Sequence, residues 1–488
     1  MNKKSLGLNA LFNGLQSILN MLFPLITFPY VSRVLSVDGV GTYNFSSSIV
    51  NYFLMIAALG ISTFAVREGA RLRDDREKFS EFASKVFTIN LLSTLISYLL
   101  LFLLLLLAPN LQSYVAAILV FSIQIFFTTL GTDWIYIIFE EYGYITARNI
   151  IFKIMSIILL FTFVRKSDDY LNYVAITVFA SSGSYVLNFF HAKKFCDIKI
   201  TLNINWKEYL PPILIIFAST AAIKVYTSSD ITILGLIKDN YTVGIYSAAI
   251  RIYNTINNTL ISVTAVVVPR LAMLMGKRRM REYYRLLKYV INMTFIIYLP
   301  AISGIFMTSR NIIQILSGNA YEQSTYSLQI LCFALIFSAL AATVNQCVLI
   351  PGKMEKRSLI STLIGAVVNV VLNITLIPLF SEKGSAFTTV IAEATTLTVM
   401  VYYGRVFLKN VLNDVQVFKN FLQSILASLF VILACWLCRL FIHNIILNLI
   451  ASIVLSVCVY SIVLLVLKND IMLNIIDGAI IRIRSRNL

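Results

Sequence analysis

Residues 83–108 read ASKVFTINLLSTLISYLLLFLLLLLA, and Lys85 is the one charge in the stretch. At a rise of about 1.5 Å per residue, a helix of this length covers a hydrocarbon core about 30 Å thick. Hydrocarbon offers backbone amides no water, so the stretch is read as a helix whose hydrogen bonds close within itself. The same reading recurs on either side. Apolar runs of 18 or more residues lie at about 8–33, 41–65, 83–108, 114–138, 147–165, 171–191, 210–236, 241–268, 287–308, 324–349, 357–380, 384–408, 418–442 and 446–467. The expected fold class is therefore an all-α polytopic membrane protein of about 14 transmembrane helices. Of 488 residues, 58% are hydrophobic and 13% charged, and the mean hydropathy is +0.82, values foreign to a soluble domain.

A formal charge of +17 raises the question of nucleic acid, and the placement of the cations answers it. With a cytoplasmic N-terminus, the inner loops and tails hold 31 of the 40 Lys and Arg, including the clusters Arg67 to Lys85 and Arg270 to Lys288. The outer side holds seven: Arg33, Arg165, Lys166, Lys238, Arg310, Lys383 and Arg439. This asymmetry predicts that both termini are cytoplasmic and that the basic excess serves topology and the lipid surface, with no nucleic-acid partner. Lys3 and Lys4 precede the first run as in a signal peptide, but the run is too long and lacks a small-residue cleavage site. It is expected to remain as a membrane helix.

Catalytic and cofactor classes fall away next. No loop between spans exceeds about twenty residues, so a soluble catalytic domain has no room. Gly276-Lys277 and Gly352-Lys353 lack the upstream glycine and following hydroxyl of a P-loop. His191 and His443, near span ends, form no cluster for zinc or haem. Cys435 and Cys438 form a CxxC inside a span, where small apolar filler is the simpler reading than redox chemistry. Asp133 and Glu140-Glu141 read as a solvated helix end. The protein is expected not to be an enzyme and to hold no cofactor, with H+ or Na+ coupling left open.

An internal repeat appears at an offset of 203 residues: Val40-Gly41-Thr42-Tyr43 returns as Val243-Gly244-Ile245-Tyr246, followed by Ile49 with Ile252 and Asn51 with Asn254. Six spans separate the copies, so the halves share an orientation, as in transporters built from parallel repeats. Polar stripes follow the same register. Ser247, Arg251, Asn254 and Asn258 lie along one helix line, Asn44, Ser48, Asn51 and Met55 along its counterpart, and Asn9, Asn13, Gln16, Asn20 and Thr27 along the first span. Such stripes serve either helix packing or a hydrophilic cavity, and three in corresponding halves favour the cavity.

Two cations lie deep in apolar runs, Lys224 and Arg251, with Asp230 on the same run as Lys224. A charge at that depth costs about 2.5–3.5 kcal/mol on insertion scales and marks a wet cavity or a partner. Lys224 and Asp230, six residues apart, cannot share a helix face, whereas Asp230 and Arg251 have depths that allow them to meet. Glu393 lies about 14 Å into its own span by helical rise, with no partner near it in sequence.

Several segments resemble the polysaccharide-exporter branch of the multidrug/oligosaccharidyl-lipid/polysaccharide transporter superfamily, the oligosaccharide-lipid flippases of the Wzx type. They are Phe28-Pro29-Tyr30-Val31-Ser32-Arg33-Val34-Leu35, Gly39 through Phe45, Asp133-Trp134 leading to Tyr144 through Asn149, Ser229-Asp230-Ile231 with Leu234-Gly235, and Val243 through Ala249. A last series runs from Asn345 and Pro351-Gly352-Lys353 through Asn369, Asn373 and Pro378 to Glu393. The resemblance implies two pseudo-symmetric six-helix lobes, here 1–209 and 210–409, facing a central cavity, then two further helices and a cytoplasmic tail in 410–488. It implies transfer by alternating access of an undecaprenyl-diphosphate-linked oligosaccharide from the cytoplasmic to the outer leaflet of the bacterial cytoplasmic membrane, for capsule, O-antigen or exopolysaccharide synthesis. Polymerase and glycosyltransferases of the same pathway would be its partners. Within such a family the diphosphate meets cavity cations, and Arg251, Lys224 and Arg33 are the positions here that fit. Asn254 and Asn51 would line the cavity, and Asp230 and Glu393 would be the coupling candidates.

Two other readings stay open. A multidrug or other cation-coupled antiporter is expected to expose acidic and aromatic surfaces to its substrate, whereas the deep charges here are two cations against Asp230 and Glu393. A flippase for a peptidoglycan lipid precursor shares the chemistry of the first reading.

Overall fold

The computed structural model describes residues 6–265 and 267–473; several side chains within 6–22 and those of 262–265 lie outside the description. Asn9, Asn13 and Asn20 of the first polar stripe are among those side chains, and the expected cytoplasmic tail from 474 onward lies outside the described residues. Among the described residues the secondary structure is helical, without a strand. In chain order the helices are α1 (Leu6–Val34), α2 (Val37–Ala58), α3 (Ile61–Gly69), α4 (Arg76–Leu107), α5 (Val115–Gly131), α6 (Asp133–Ile138), α7 (Tyr142–Phe163), α8 (Tyr170–Ser182), α9 (Tyr185–Ala192) and α10 (Trp206–Ile237). They continue as α11 (Asn240–Ala265), α12 (Val268–Gly276), α13 (Met280–Leu316), α14 (Ser324–Val344), α15 (Glu355–Leu412), α16 (Val415–Phe441) and α17 (Ile445–Val466). Among the described residues, eleven segments are long and apolar enough to cross a membrane.

Helix α4 contains the 83–108 stretch and shows how these spans are built. Asp75 caps it by accepting from the Lys78 amide at 3.1 Å, and it ends at Ala108, just before Pro109, which has no amide hydrogen to continue the ladder. Leu99, Phe102 and Leu106 are more than 60% exposed, as a lipid-facing side requires. The opposite side is buried and hydroxylic: Ser93 donates to the Ala57 carbonyl at 2.6 Å and Ser97 to the Phe53 carbonyl at 2.7 Å. Lipid removes the usual apolar incentive for helices to associate, and short polar bonds of this kind supply part of it.

Helix α15 is continuous by hydrogen bonding over 58 residues, but Ser381, at φ 53 and ψ −132, breaks it three residues after Pro378. The break falls between the apolar runs expected at 357–380 and 384–408. Helices α1, with 29 residues, and α11, with 26, exceed the roughly 20 residues a span needs.

The chain packs as two compact units, 1–244 and 245–488. The expected domains, 1–209, 210–409 and 410–488, count helices in order, whereas this division follows contacts and places α10 with α2 and α3 in the first unit. Glycines set the packing there. A Cβ on Gly41 would lie 1.8 Å from the Asn240 carbonyl oxygen, and one on Gly244 would lie 2.3 Å from that of Val37. The heads of α2 and α11 thus cross reciprocally, each through the glycine of the 203-residue repeat. Gly235 of α10 is pressed in the same way on the Phe45 ring, where a Cβ would come within 2.1 Å. The repeat tyrosines behave alike in the two units: Tyr43 Oη donates to Thr177 Oγ1 of α8 at 3.3 Å, and Tyr246 Oη lies 3.4 Å from Thr389 Oγ1 of α15.

Residues 193–205, which link α9 to α10, are strapped along α4. The amides of Asp197, Lys199 and Thr201 donate to Ser80 Oγ, Ser84 Oγ and Thr88 Oγ1 at 3.1, 3.0 and 3.1 Å. Two extended residues advance about 6.6 Å and four helical residues about 6 Å, so every second amide meets every fourth helix residue. Two outcomes are expected. Gly41→Leu destabilises by more than the roughly 1–3 kcal/mol of an overpacked core, read as loss of a monodisperse detergent-solubilised peak, whereas Gly276→Ala, with nothing within 4 Å of its added carbon, leaves the peak unchanged. Replacing both Ser84 and Thr88 by Ala speeds amide exchange over 197–201 on the order of tenfold, at about 1 kcal/mol per bond.

Candidate functional site

In the first unit, α10 carries Lys224 and Asp230 on different faces, as their spacing requires. Asp230 is 8% exposed beside the buried Ser228 and Ser229; Lys224 is half-buried and makes no ion pair among the described residues. Below Asp230 the Thr232 hydroxyl lies 3.0 Å from Ser48 Oγ and 3.1 Å from Tyr52 Oη, joining α10 to α2. The expected polar stripe of α2 is therefore divided in use. Ser48 belongs to this helix contact, Asn44 turns its amide back to the Val40 carbonyl at 2.8 Å, and Asn51 stays half-buried. Arg33 lies in the last turn of α1, exposed, with Nη1 donating to the Pro29 carbonyl at 2.6 Å.

In the second unit, Arg251 is half-buried on α11 and Asn254 and Asn258 are exposed, while Ser247, first in the same stripe, is 3% exposed. Asn257 fixes the rotation of α11 by donating to Ser338 Oγ of α14 at 3.0 Å. Glu393 is half-buried on the second leg of α15, between the buried Thr389 and Thr396. The amides of Asn369 and Asn373 are fully buried: Asn373 Nδ2 donates to Asn369 Oδ1 at 3.0 Å and Thr388 Oγ1 donates to Asn373 Oδ1 at 2.6 Å. The Asn373–Thr388 bond ties the two legs of α15 across the Ser381 break.

One charged cluster was missed by sequence reasoning. Asp133, read there as a solvated helix end, accepts from Arg148 at 3.4 Å and from Asn188 Nδ2 at 2.7 Å. Arg148 is 5% exposed, with its guanidinium carbon 5.6 Å from the Tyr185 ring centroid and 6.0 Å from that of Tyr144. Asn188 also donates to the Gly131 carbonyl at 2.8 Å, across the turn where Thr132 takes a left-handed φ of 41°. The available signal was that Asp133 lies near the end of one apolar run and Arg148 begins the next, so a short loop brings them together.

The two kinds of cation differ in what they offer. Arg148 is held by the Asp133 carboxylate, the Asn149 side-chain oxygen and two tyrosine rings, as part of the scaffold. Lys224 and Arg251 are half-buried on long membrane helices; an Arg suits bidentate contact with phosphate oxygens and a Lys acts as a point charge. Among the described residues no group of three or more His, Cys, Asp or Glu has metal-holding geometry.

The chain as a whole has recognisable relatives. The chain is 24% identical over 411 residues to a protein of Escherichia coli (strain K12) named putative O-antigen transporter, covering 83% of this chain and 98% of that one. It is 24% identical over 181 residues to the probable low-salt glycan biosynthesis flippase Agl15 of Haloferax volcanii, covering 36% of this chain and 38% of that one. Its fold is similar to that of a structure described as the lipid II flippase MurJ in an inward closed conformation, with a TM-score of 0.77 at 18% identity over 95% of this chain and 100% of that one. The family model described as polysaccharide biosynthesis protein matches residues 6–275, more than half of the sequence, and the chain belongs to that family.

Proposed function

We propose that this protein is a flippase of the Wzx type, which moves a lipid-linked oligosaccharide from the cytoplasmic to the outer leaflet of the membrane for polysaccharide assembly. The observation that carries this reading is the match to the putative O-antigen transporter over 98% of that protein's length, inside a polysaccharide-biosynthesis family. The chain acts as a transporter and not as an enzyme. Its substrate is an oligosaccharide on a polyprenyl diphosphate, with undecaprenyl as the carrier, and it works beside the glycosyltransferases and polymerase of one pathway in the bacterial cytoplasmic membrane. Division of α15 at Ser381, together with α1 and α11, supports fourteen passes, with both termini cytoplasmic by the charge asymmetry.

The chemistry fits. A diphosphate carries about two negative charges, and each is worth about 2.3 kcal/mol per 100 mV, so outward transfer from an inside-negative cell runs downhill. Cations must replace the water around the head group, amides and hydroxyls must receive the sugars, and the prenyl tail can stay in lipid. Arg251, Lys224 and Arg33 are the proposed diphosphate contacts along an alternating-access cycle, and Asn254 and Asn51 the proposed sugar contacts. Asp230 and Glu393 are the proposed sites of H+ or Na+ coupling.

In reconstituted vesicles Arg251→Ala is expected to lower the flipping rate at least tenfold while insertion is unchanged, and Arg251→Lys to keep part of it. Undiminished transport by Arg251→Ala would remove the diphosphate role. Comparing flipping by Asp230→Asn and Glu393→Gln across pH and sodium concentration checks coupling: the variant at the coupling site loses the ion dependence that the unmodified protein shows. If both variants keep it, neither residue is the coupling site.

A further inference from the structure

The side of the second unit formed by α13, α16 and α17 is hollow. A cavity of about 500 Å³ runs past Pro300, Gly304 and Ile312 of α13 and Leu449, Ile453 and Val457 of α17. Its lining is almost wholly apolar. Small residues create the space, above all Gly304, where an added Cβ would meet nothing within 4 Å. Ile297 and Tyr460 line its other end.

A second hollow of about 270 Å³ shares Thr308 and Cys435 with the first and has the opposite character. Arg310, Asn311, Gln314, Arg439 and Asn448 line it, with no carboxylate among its lining residues. The neck is braced: Asn311 Nδ2 donates to Asn448 Oδ1 at 2.7 Å, and Asn448 Nδ2 donates to the Cys438 and Ile442 carbonyls at 2.9 and 3.0 Å. Arg310 shares its charge with Glu322 at 2.6 Å; Arg439, in the last turn of α16, forms no ion pair among the described residues. The mouth keeps a net positive charge above an apolar slot.

We propose that this slot is a resident site for an anionic glycerophospholipid, with its phosphate at Arg439 and Arg310 and one acyl chain laid along Gly304. The fifteen helical steps from Ile297 to Ile312 rise about 22 Å, enough to span one leaflet of a core about 30 Å thick. At about 30 Å³ for each water-sized group, 500 Å³ holds about sixteen such groups, the size of one acyl chain. The polar hollow, at about 270 Å³, matches a phosphate with a small head group better than an oligosaccharide, which sets this occupant apart from the carried lipid. A guanidinium fork favours phosphate over a zwitterionic head group with its own cation. The bound lipid would wedge α13 against α17, and the site is independent of which glycan the protein moves.

Native mass spectrometry of the full chain, released from mild detergent with equal phosphatidylglycerol and phosphatidylcholine, tests this. The unmodified protein is expected to retain one phosphatidylglycerol in preference. Gly304→Leu, whose side chain enters open space, loses it while the helical circular dichroism is kept. Arg439→Ala reduces the preference for phosphatidylglycerol about tenfold, the scale of one charge-assisted hydrogen bond, and Arg439→Lys restores part of it. Equal retention of the two lipids, or unchanged retention by Gly304→Leu, overturns the proposal. Displacement of phosphatidylglycerol by an equal amount of polyprenyl phosphate also overturns it, by assigning the slot to the carried lipid.

Discussion

At Gly41 and Gly244 backbone meets backbone more closely than any side chain allows, and the packing of the first unit is arranged around that crossing. In a bilayer the apolar surface of a helix is satisfied by lipid, so helices associate through close approach and polar bonds. Reciprocal contact of Gly41 with Asn240 and of Gly244 with Val37 provides the close approach. The polar bonds gather nearby. Tyr114 Oη donates to Asn240 Oδ1 at 2.5 Å, and Ser48, Tyr52 and Thr232 bind α2 to α10. A helix held by so few special contacts is sensitive to them individually, which is why one added carbon at Gly41 matters more than many changes on the lipid-facing side.

The same economy governs polar groups elsewhere. Hydroxyls on α4 fasten the strap at 197–201, Asn373 with Thr388 fastens the two legs of α15, and Asn188 fastens the turn at Thr132 through the Gly131 carbonyl. Asn188 and Asn373 are fully buried. Lys224, Arg251 and Glu393 are only half-buried on long apolar helices, a costly position for a charge in a membrane-spanning segment. That contrast separates scaffold from candidate site more clearly than charge does.

Much of this was legible in the sequence, and the limits have physical causes. Span existence follows from length and hydropathy, so the run at 83–108 and the separate runs at 357–380 and 384–408 could be read directly, although the helix between the latter two is interrupted only at Ser381. The repeat was visible as Val-Gly-x-Tyr, but the contact its glycine makes was not, because two segments 203 residues apart give no sign in sequence that they touch. Hydroxyl and amide stripes suit packing and a cavity equally, so Ser48 and Asn51 looked equivalent until Ser48 was found against Thr232. The Asp133–Arg148 pair was hidden because each residue, taken singly, has the composition of a solvated helix end.

If the protein carries an anionic lipid head group through a low-dielectric barrier, membrane potential must set where that lipid accumulates. For about two charges, 100 mV contributes about 4.6 kcal/mol, on the order of a thousandfold in the equilibrium ratio between leaflets. The direct measurement uses a fluorescent diphosphate-linked oligosaccharide lipid in vesicles containing the protein, with a potassium diffusion potential imposed in either direction. The account predicts protein-dependent accumulation in the leaflet on the positive side, reversing when the potential is reversed. A leaflet distribution that is the same with and without the protein, or for both signs of the potential, would contradict it.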